Sequence, residues 1–299
     1  MPLVSLEEAA AHLAALGAVG IPTETVYGLA AHGLEPRALQ AVYARKGRPV
    51  DHPLILHVLD DPDAHGFGTP AATALVAAFW PGPLTLILRR RPHVPDALTG
   101  GHPTVALRSP AHPVVRALLA RCGFPLAAPS ANRFGHVSPT TAAHVLADFP
   151  DLPVLEGGPC TVGVESTIID LSGGTPSLLR PGGIPVEAIE AIIGPVARSG
   201  ATPAPGTLAA HYAPRAVVIA THTPGDEAER LTRAGYTVAV LAAEAPAAYA
   251  ASLYARLRTL DATGVQVIVA EWANEEGLGA AVNDRLRRAS AAGRLPIVG

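Results

Sequence analysis

KGRPVDHPLILHV, residues 46–58, runs from the end of a helix through a proline-bounded loop into an apolar run of strand length. Upstream, residues 36–44 predict the helix, with proline in its first turn and Gly47 beyond its end. Downstream, residues 54–59 predict a short strand. The alternation continues outward in both directions. Residues 84–88, 104–107, 168–171 and 177–179 are further strand-length runs, and helices are expected near 71–79, 113–121 and 141–148. Toward the N-terminus, Ser5 and Glu8 form an S-x-x-E capping box for a first helix, and Gly17 offers it a left-handed stop. A strand follows near residues 18–21, then PTETVYGL as a loop leading into a helical turn. Such alternation predicts an α/β domain, with several strand pairs close enough for antiparallel hairpins.

The pattern changes near Gly194. Residues 195–214 repeat Pro, Gly and Ala with little periodicity, as a linker on a surface does. Beyond it strands are expected at 215–220, 237–241 and 265–270, and helices at 225–234, 247–260 and 278–289. Three βα units of this kind predict a small parallel-sheet domain of Rossmann-like shape over residues 215–299. Residues 1–194 then form the larger domain.

The chain has 299 residues and a formal charge of −3, with a sequence pI near 6.4. That balance is a poor footprint for clamping nucleic acid by electrostatics alone. Cys122 and Cys160 fit no metal or disulfide spacing, which suits a reducing cytoplasm. Residues 1–20 carry Glu7, Glu8 and His12 and lack a basic leader, so no signal peptide is expected. No apolar run reaches the roughly 18 residues that a membrane span needs, and a soluble protein is expected.

Several polar residues have both an ordinary and a ligand-binding reading. Lys46 and Arg48 suit the negative end of a helix, yet they also suit a polyanion. His52 and His57 flank the strand PLIL, and no zinc-like histidine spacing surrounds them. Thr104 and Arg108 bracket TVALR, where a terminal arginine can reach solvent or grip a carboxylate. In PSANRFGHVSPTT, residues 129–141, Ser138 or Thr140 can cap the following helix, whereas Ser130 and Asn132 have no capping role. GGPCTVGVEST, residues 157–167, is glycine-rich without the G-K-[ST] ending of a phosphate loop. Gly66-Phe67-Gly68 follows no immediate strand and is discarded as a dinucleotide fingerprint. Tyr212, in APGTLAAHYAP at 204–214, reads as packing or as part of a lid.

Taken in order, PTETVYGLAA, KGRPVDHPLILHV, FWPGPLTLIL, LRSPAHP, PSANRFGHVSPTT, LRPGG, HYAP and EEGLGAAVNDRLRRAS resemble the threonylcarbamoyl-AMP synthase family, the YrdC-type enzymes in their long two-domain form. Departures are small: Glu156 stands where Asp is expected and Thr207 where Met is more usual. The resemblance implies a YrdC-like twisted mixed sheet with helices, a smaller Rossmann-like parallel C-terminal domain, and residues 195–214 as a lid over the active site. It implies synthesis of threonylcarbamoyl-AMP from L-threonine, bicarbonate and ATP with release of pyrophosphate, the first step of threonylcarbamoyladenosine formation at position 37 of tRNA. Lys46, Arg48, Ser130 and Asn132 would then orient and neutralise the phosphates. Thr25, His57, Arg108, the backbone of Ala128, and Ser166 would hold threonine. Arg48, His52, Thr104, Ser130, Ser138, Arg180 and Tyr212 would bind ATP. Mg2+ would travel with ATP, with no protein-held metal. The product would pass to a downstream threonylcarbamoyl-transferase machinery, and direct contact with tRNA stays open. Two other readings compete: a double-stranded RNA-binding module without catalysis, and a carbamoyl-transfer domain of a maturation protein, whose zinc-finger cysteines this chain lacks.

Overall fold

The computed structural model describes residues 2–59, 61–198, 202–293 and 295. Residues 199–201 of the expected linker, and 294 and 296–299 of the expected C-terminal domain, lie outside the described residues. The chain opens with β1 (Leu3–Val4), α1 (Leu6–Ala14), β2 (Val19–Ile21), β3 (Gly28–His32), α2 (Pro36–Lys46) and β4 (Ile55–His57). It continues through β5 (Gly66–Phe67), α3 (Pro70–Phe79), β6 (Leu84–Arg90), α4 (Asp96–Thr99), β7 (Thr104–Arg108) and α5 (Pro113–Cys122). Then come β8 (Leu126–Ala127), α6 (Ala142–Asp148), β9 (Val154–Leu155), β10 (Thr167–Asp170), β11 (Ser177–Arg180) and α7 (Val186–Ile193). Among the described residues these strands form one mixed sheet in the order β1–β9–β2–β3–β8–β4–β7–β6–β10–β11, with β5 paired to β6 at its side.

Local chemistry sets the element ends. The Ser5–Glu8 capping box forms as expected. The left-handed residue after α1, however, is Leu16 at φ 63° and not Gly17. Gly17 is needed for space, because a Cβ there would stand 2.3 Å from the His12 ring. Gly47 does end α2 in the left-handed conformation, at φ 65°. PTETVYGL enters strand β3 rather than a helical turn, since β3 pairs with both β2 and β8. The helix after SPTT is capped by Thr141, whose hydroxyl accepts from His144 N, so neither Ser138 nor Thr140 fills that role.

The C-terminal part holds β12 (Val217–Thr221), α8 (Pro224–Arg233), β13 (Val238–Leu241), α9 (Pro246–Ala262), β14 (Val267–Glu271) and α10 (Gly279–Ser290). Its three strands are all parallel, in the order β12–β14–β13, so the last strand of the chain lies in the centre. Both faces of such a sheet must be covered, and β14 accordingly buries Val267, Ile268, Val269 and Ala270 completely. One apolar cluster crosses between the two sheets, joining Val26, Val137 and Val164 to Tyr212, Tyr249, Leu253 and Tyr254.

Candidate active site

A cleft of about 620 Å³, mouth included, lies where the large sheet meets the segment around Tyr212. Its wall includes Thr25, Lys46, Arg48, His57, Arg108, Ala128, Ser130, Ser166, Arg180 and Tyr212. These come from seven separated stretches of sequence, and the sheet register explains much of the convergence. His57 and Arg108 are register partners at the ends of parallel β4 and β7. Across the same sheet Thr85 Oγ1 lies 2.7 Å from Ser166 Oγ.

Arg108 is 4 % exposed and spreads its guanidinium over three partners. Nε donates to Gly82 O at 3.2 Å, Nη1 to Thr25 Oγ1 at 2.8 Å, and Nη2 to Glu24 Oε1 at 2.6 Å. The other carboxylate oxygen of Glu24 accepts from Ala111 N at 3.1 Å. Burial works to raise the Glu24 pKa, but the charge and hydrogen bond of Arg108 outweigh it and hold the carboxyl below its ordinary value. Thr25 is in turn fixed by Thr23, whose hydroxyl lies 2.8 Å from Thr25 Oγ1 and donates to Val26 O at 2.6 Å.

Lys46, the last residue of α2, is 4 % exposed. Its Nζ donates to Ser130 O at 2.5 Å and Asn132 O at 2.7 Å, which folds the PSAN loop over the helix end. Burial, and after it the neighbouring Arg48, push the ammonium well below its ordinary pKa. An ammonium has three donors, so one remains for an anion. Arg48 donates from Nη2 to Pro53 O at 2.9 Å and lies 5.7 Å from the Phe134 ring centre. Burial lowers its pKa to about 10, which leaves it charged at neutral pH.

Arg180 knits the opposite wall. Nε and Nη2 donate to Ser166 O at 3.1 and 2.8 Å, Nη2 also to Ser166 Oγ at 3.1 Å, and Nη1 to Pro205 O at 2.9 Å. The next turn requires Gly182, because a Cβ there would meet the 165–167 backbone at 2.3–2.4 Å. Glu165, beside Ser166, also lines the cleft. It accepts from Ser138 Oγ at 2.6 Å, and from Tyr254 OH and Arg285 Nε at 2.8 Å each. Burial alone would raise its pKa, but Arg285 and Arg180 hold it at about 2.

His57 and His211 are buried and neutral. Burial lowers each to about 3, and each Nδ1 lacks a hydrogen-bond partner among the described residues. Tyr212 is 1 % exposed at φ 62°, a left-handed backbone that is rare for a tyrosine. Its ring centre lies 4.1 Å from that of His211.

Four expected residues lie off the wall. Thr104 is at the other end of β7 from Arg108, opposite Arg89. His52 turns its ring toward Phe134, 5.7 Å between centres, while its carbonyl accepts from Arg48 Nε. Ser138 is fully buried behind Glu165. Asn132 is fully buried, donating to Arg133 O and His136 O, and its Oδ1 has no hydrogen-bond partner among the described residues. Sequence reasoning missed Glu24, Glu165 and His211. Their signal was a lone ionisable residue inside a turn segment already singled out for its hydroxyls or its aromatic.

The fold and site define a two-sheet α/β protein with a cleft lined by Lys46, Arg48, Arg108 and Arg180. The Sua5/YciO/YrdC family model, described as telomere recombination, matches residues 13–182. The model of the threonylcarbamoyl-AMP synthase C-terminal domain matches residues 184–291. The chain is 41 % identical to the threonylcarbamoyl-AMP synthase of Pyrococcus abyssi, over 91 % of this chain and 90 % of that one. It is 39 % identical to the Bacillus subtilis threonylcarbamoyl-AMP synthase, over 95 % and 92 %. The crystal structure of P. abyssi Sua5 complexed with L-threonine superposes with a TM-score of 0.90 at 39 % identity, covering 95 % of this chain and 94 % of that one. The chain belongs to the threonylcarbamoyl-AMP synthase family. No helix among the described residues is long and apolar enough to cross a membrane.

Proposed function

We propose that this chain makes threonylcarbamoyl-AMP from L-threonine, bicarbonate and ATP, releasing pyrophosphate, as the first step toward threonylcarbamoyladenosine at tRNA position 37. The observation that carries this reading is the convergence of Lys46, Arg48, Arg108 and Arg180, from three separate segments, on one cleft with Thr25, Ser130 and Ser166.

The threonine amine takes up bicarbonate-derived CO2 as a carbamate. A carbamate oxygen then attacks the α-phosphorus of ATP, the bond to the β-phosphate oxygen breaks, and pyrophosphate leaves. That chemistry asks for alignment and charge neutralisation more than for a protein nucleophile. Arg108 faces the threonine carboxylate with the donors that Glu24, Thr25 and Gly82 leave free. Thr25, the Ala128 backbone and Ser166 complete that subsite. Neutral His57 offers Nδ1 as an acceptor to the substrate hydroxyl or amine. A small apolar contact for the threonine methyl is worth about 1–3 kcal/mol against serine. Lys46, Arg48 and Ser130 meet the phosphates, Arg180 and Tyr212 the rest of the nucleotide, and Asn132 shapes the loop that carries Ser130. Mg2+ enters bound to ATP as part of the substrate.

In this reading residues 1–194 are the catalytic domain, 195–214 the lid, and 215–299 the domain that holds the lid in place. The enzyme works in the cytoplasm and hands its product to a threonylcarbamoyl transferase. The test is pyrophosphate release by purified protein with and without L-threonine and bicarbonate, with mass detection of the adenylate. Release that needs both co-substrates supports the proposal. No threonine-dependent release, together with retention of an RNA duplex in a mobility-shift assay, replaces it with the RNA-binding reading.

A further inference from the structure

Arg285, in α10 of the C-terminal part, has a side chain with no exposed surface. Its Nε donates to Glu165 Oε2 at 2.8 Å, and its Nη1 to Pro181 O and Asp284 Oδ2, each at 2.8 Å. Its guanidinium carbon lies 5.1 Å from the Tyr212 ring centre, within cation–π range. Nη2 has no hydrogen-bond partner among the described residues. Two residues assigned above to the nucleotide therefore lead back to one side chain. Tyr212 touches it directly and Arg180 is joined to it through the adjacent Pro181 carbonyl, while Ser138, behind the wall, is bonded to the same Glu165.

The threonine subsite is built differently. Arg108, Thr25 and Glu24 bond to one another and to Gly82 and Ala111, and among the described residues no hydrogen bond links them to α10. Ser166 stands between the halves, bonded to Thr85 on one side and Arg180 on the other. A buried ion pair is weak evidence for stability, because well-packed apolar residues often serve as well. What the Glu165–Arg285 pair supplies, and an apolar contact does not, is fixed direction for groups on three chain segments.

We infer that Arg285 is a positioning residue that sets the nucleotide wall of the cleft from the C-terminal part, while the threonine subsite is assembled without it. The inference rests on the ligand assignments proposed above. It gives the C-terminal part a defined task in the reaction: its docking fixes the nucleotide wall and leaves threonine recognition alone.

The experiment compares the full-length protein with Arg285→Met, Arg285→Lys and Glu165→Gln. It measures the Kd of L-threonine and of a non-hydrolysable ATP analogue by calorimetry, then KM for ATP and kcat in threonine-dependent pyrophosphate release. Arg285→Met is expected to weaken analogue binding and raise KM for ATP at least tenfold, with the threonine Kd changed less than twofold. Arg285→Lys keeps the charge without the planar fork and is expected to recover part of that loss. Equal weakening of both ligands, or ATP affinity within twofold of wild type, overturns the inference. If Arg285→Met does not fold, Tyr254→Phe carries the same test, with a two- to fivefold loss for the analogue and none for threonine. Wild-type protein that releases no pyrophosphate refutes the proposed function, while the analogue-binding arm still decides this one.

Discussion

Arg108 and Arg285 are both buried arginines paired with buried glutamates, yet they close their parts of the cleft from different directions. Arg108 sits at a strand end and bonds to groups held by the same sheet. Arg285 sits on a helix of the other sheet's layer and reaches across to Glu165, 120 positions earlier. The first wall is a product of strand register. The second is tied to the docking of two parts that share one apolar cluster. The difference predicts that threonine recognition tolerates disturbance at the junction, whereas nucleotide recognition does not.

The largest effect is expected on the Arg108 side. Arg108→Ala leaves Glu24 buried without its cation, a change that costs about 3–5 kcal/mol of stability. It also removes the carboxylate contact proposed for Arg108, so kcat/KM for threonine should fall at least about 100-fold, or roughly 2.7 kcal/mol. Steady-state kinetics with threonine varied at saturating ATP checks this, and unaltered kinetics would remove Arg108 from the subsite. Glu24→Gln keeps one acceptor oxygen for Arg108 but loses its charge. About a tenfold drop in kcat/KM for threonine is expected, with KM for ATP moving far less.

The two neutral histidines sharpen the comparison through pH. Their folded pKa values, near 3, lie below the ordinary 6.5. The unfolded chain therefore takes up protons first as pH falls, and stability present above pH 6.5 is lost progressively down to about pH 3. Between pH 6.5 and 5 each histidine accounts for about 2 kcal/mol, at 1.36 kcal/mol per unit. Urea midpoints across that range should fall for the wild type and fall less for His57→Gln, a flattening whose absence would show His57 charged when folded. The smallest effect is expected from Ser138→Ala, which removes one hydrogen bond to Glu165. A two- to fivefold rise in KM for ATP follows from about 0.5–1 kcal/mol, and a matching rise for threonine would break the separation of the two halves.

Much of the cleft wall around Arg108 was legible in sequence because its residues end short apolar runs or stand in hydroxyl-rich turns. Arg108 closes TVALR, and Thr25 stands in PTETVYG. Glu24 escaped notice because the cation that gives it meaning comes 84 positions later. Thr104, expected at the nucleotide through the family resemblance, lies off the wall because four residues of strand separate it from Arg108 by about 13 Å. The two-residue strands β1, β5, β8 and β9 have no periodicity to read, since partners far along the chain define them. The junction was the least visible. Arg285 lies in a DRLRR run that looks like the solvated end of a helix, and Tyr254 in an alanine-rich helix gives no sign of facing a carboxylate. Tyr212 was singled out, but nothing in HYAP announces a left-handed tyrosine. The pairing of Glu165 with Arg285 is a property of docking, which neither segment encodes alone.

That pairing also has a consequence for how the protein is born. Lys46, Arg48, Arg108, Ser130, Ser166 and Arg180 all leave the ribosome more than 100 residues before Arg285 does. At synthesis rates of about 5–20 residues per second, at least about five seconds separate the two events. During that interval Glu165 stands in the growing chain without the Arg285 guanidinium that pairs with it in the folded protein.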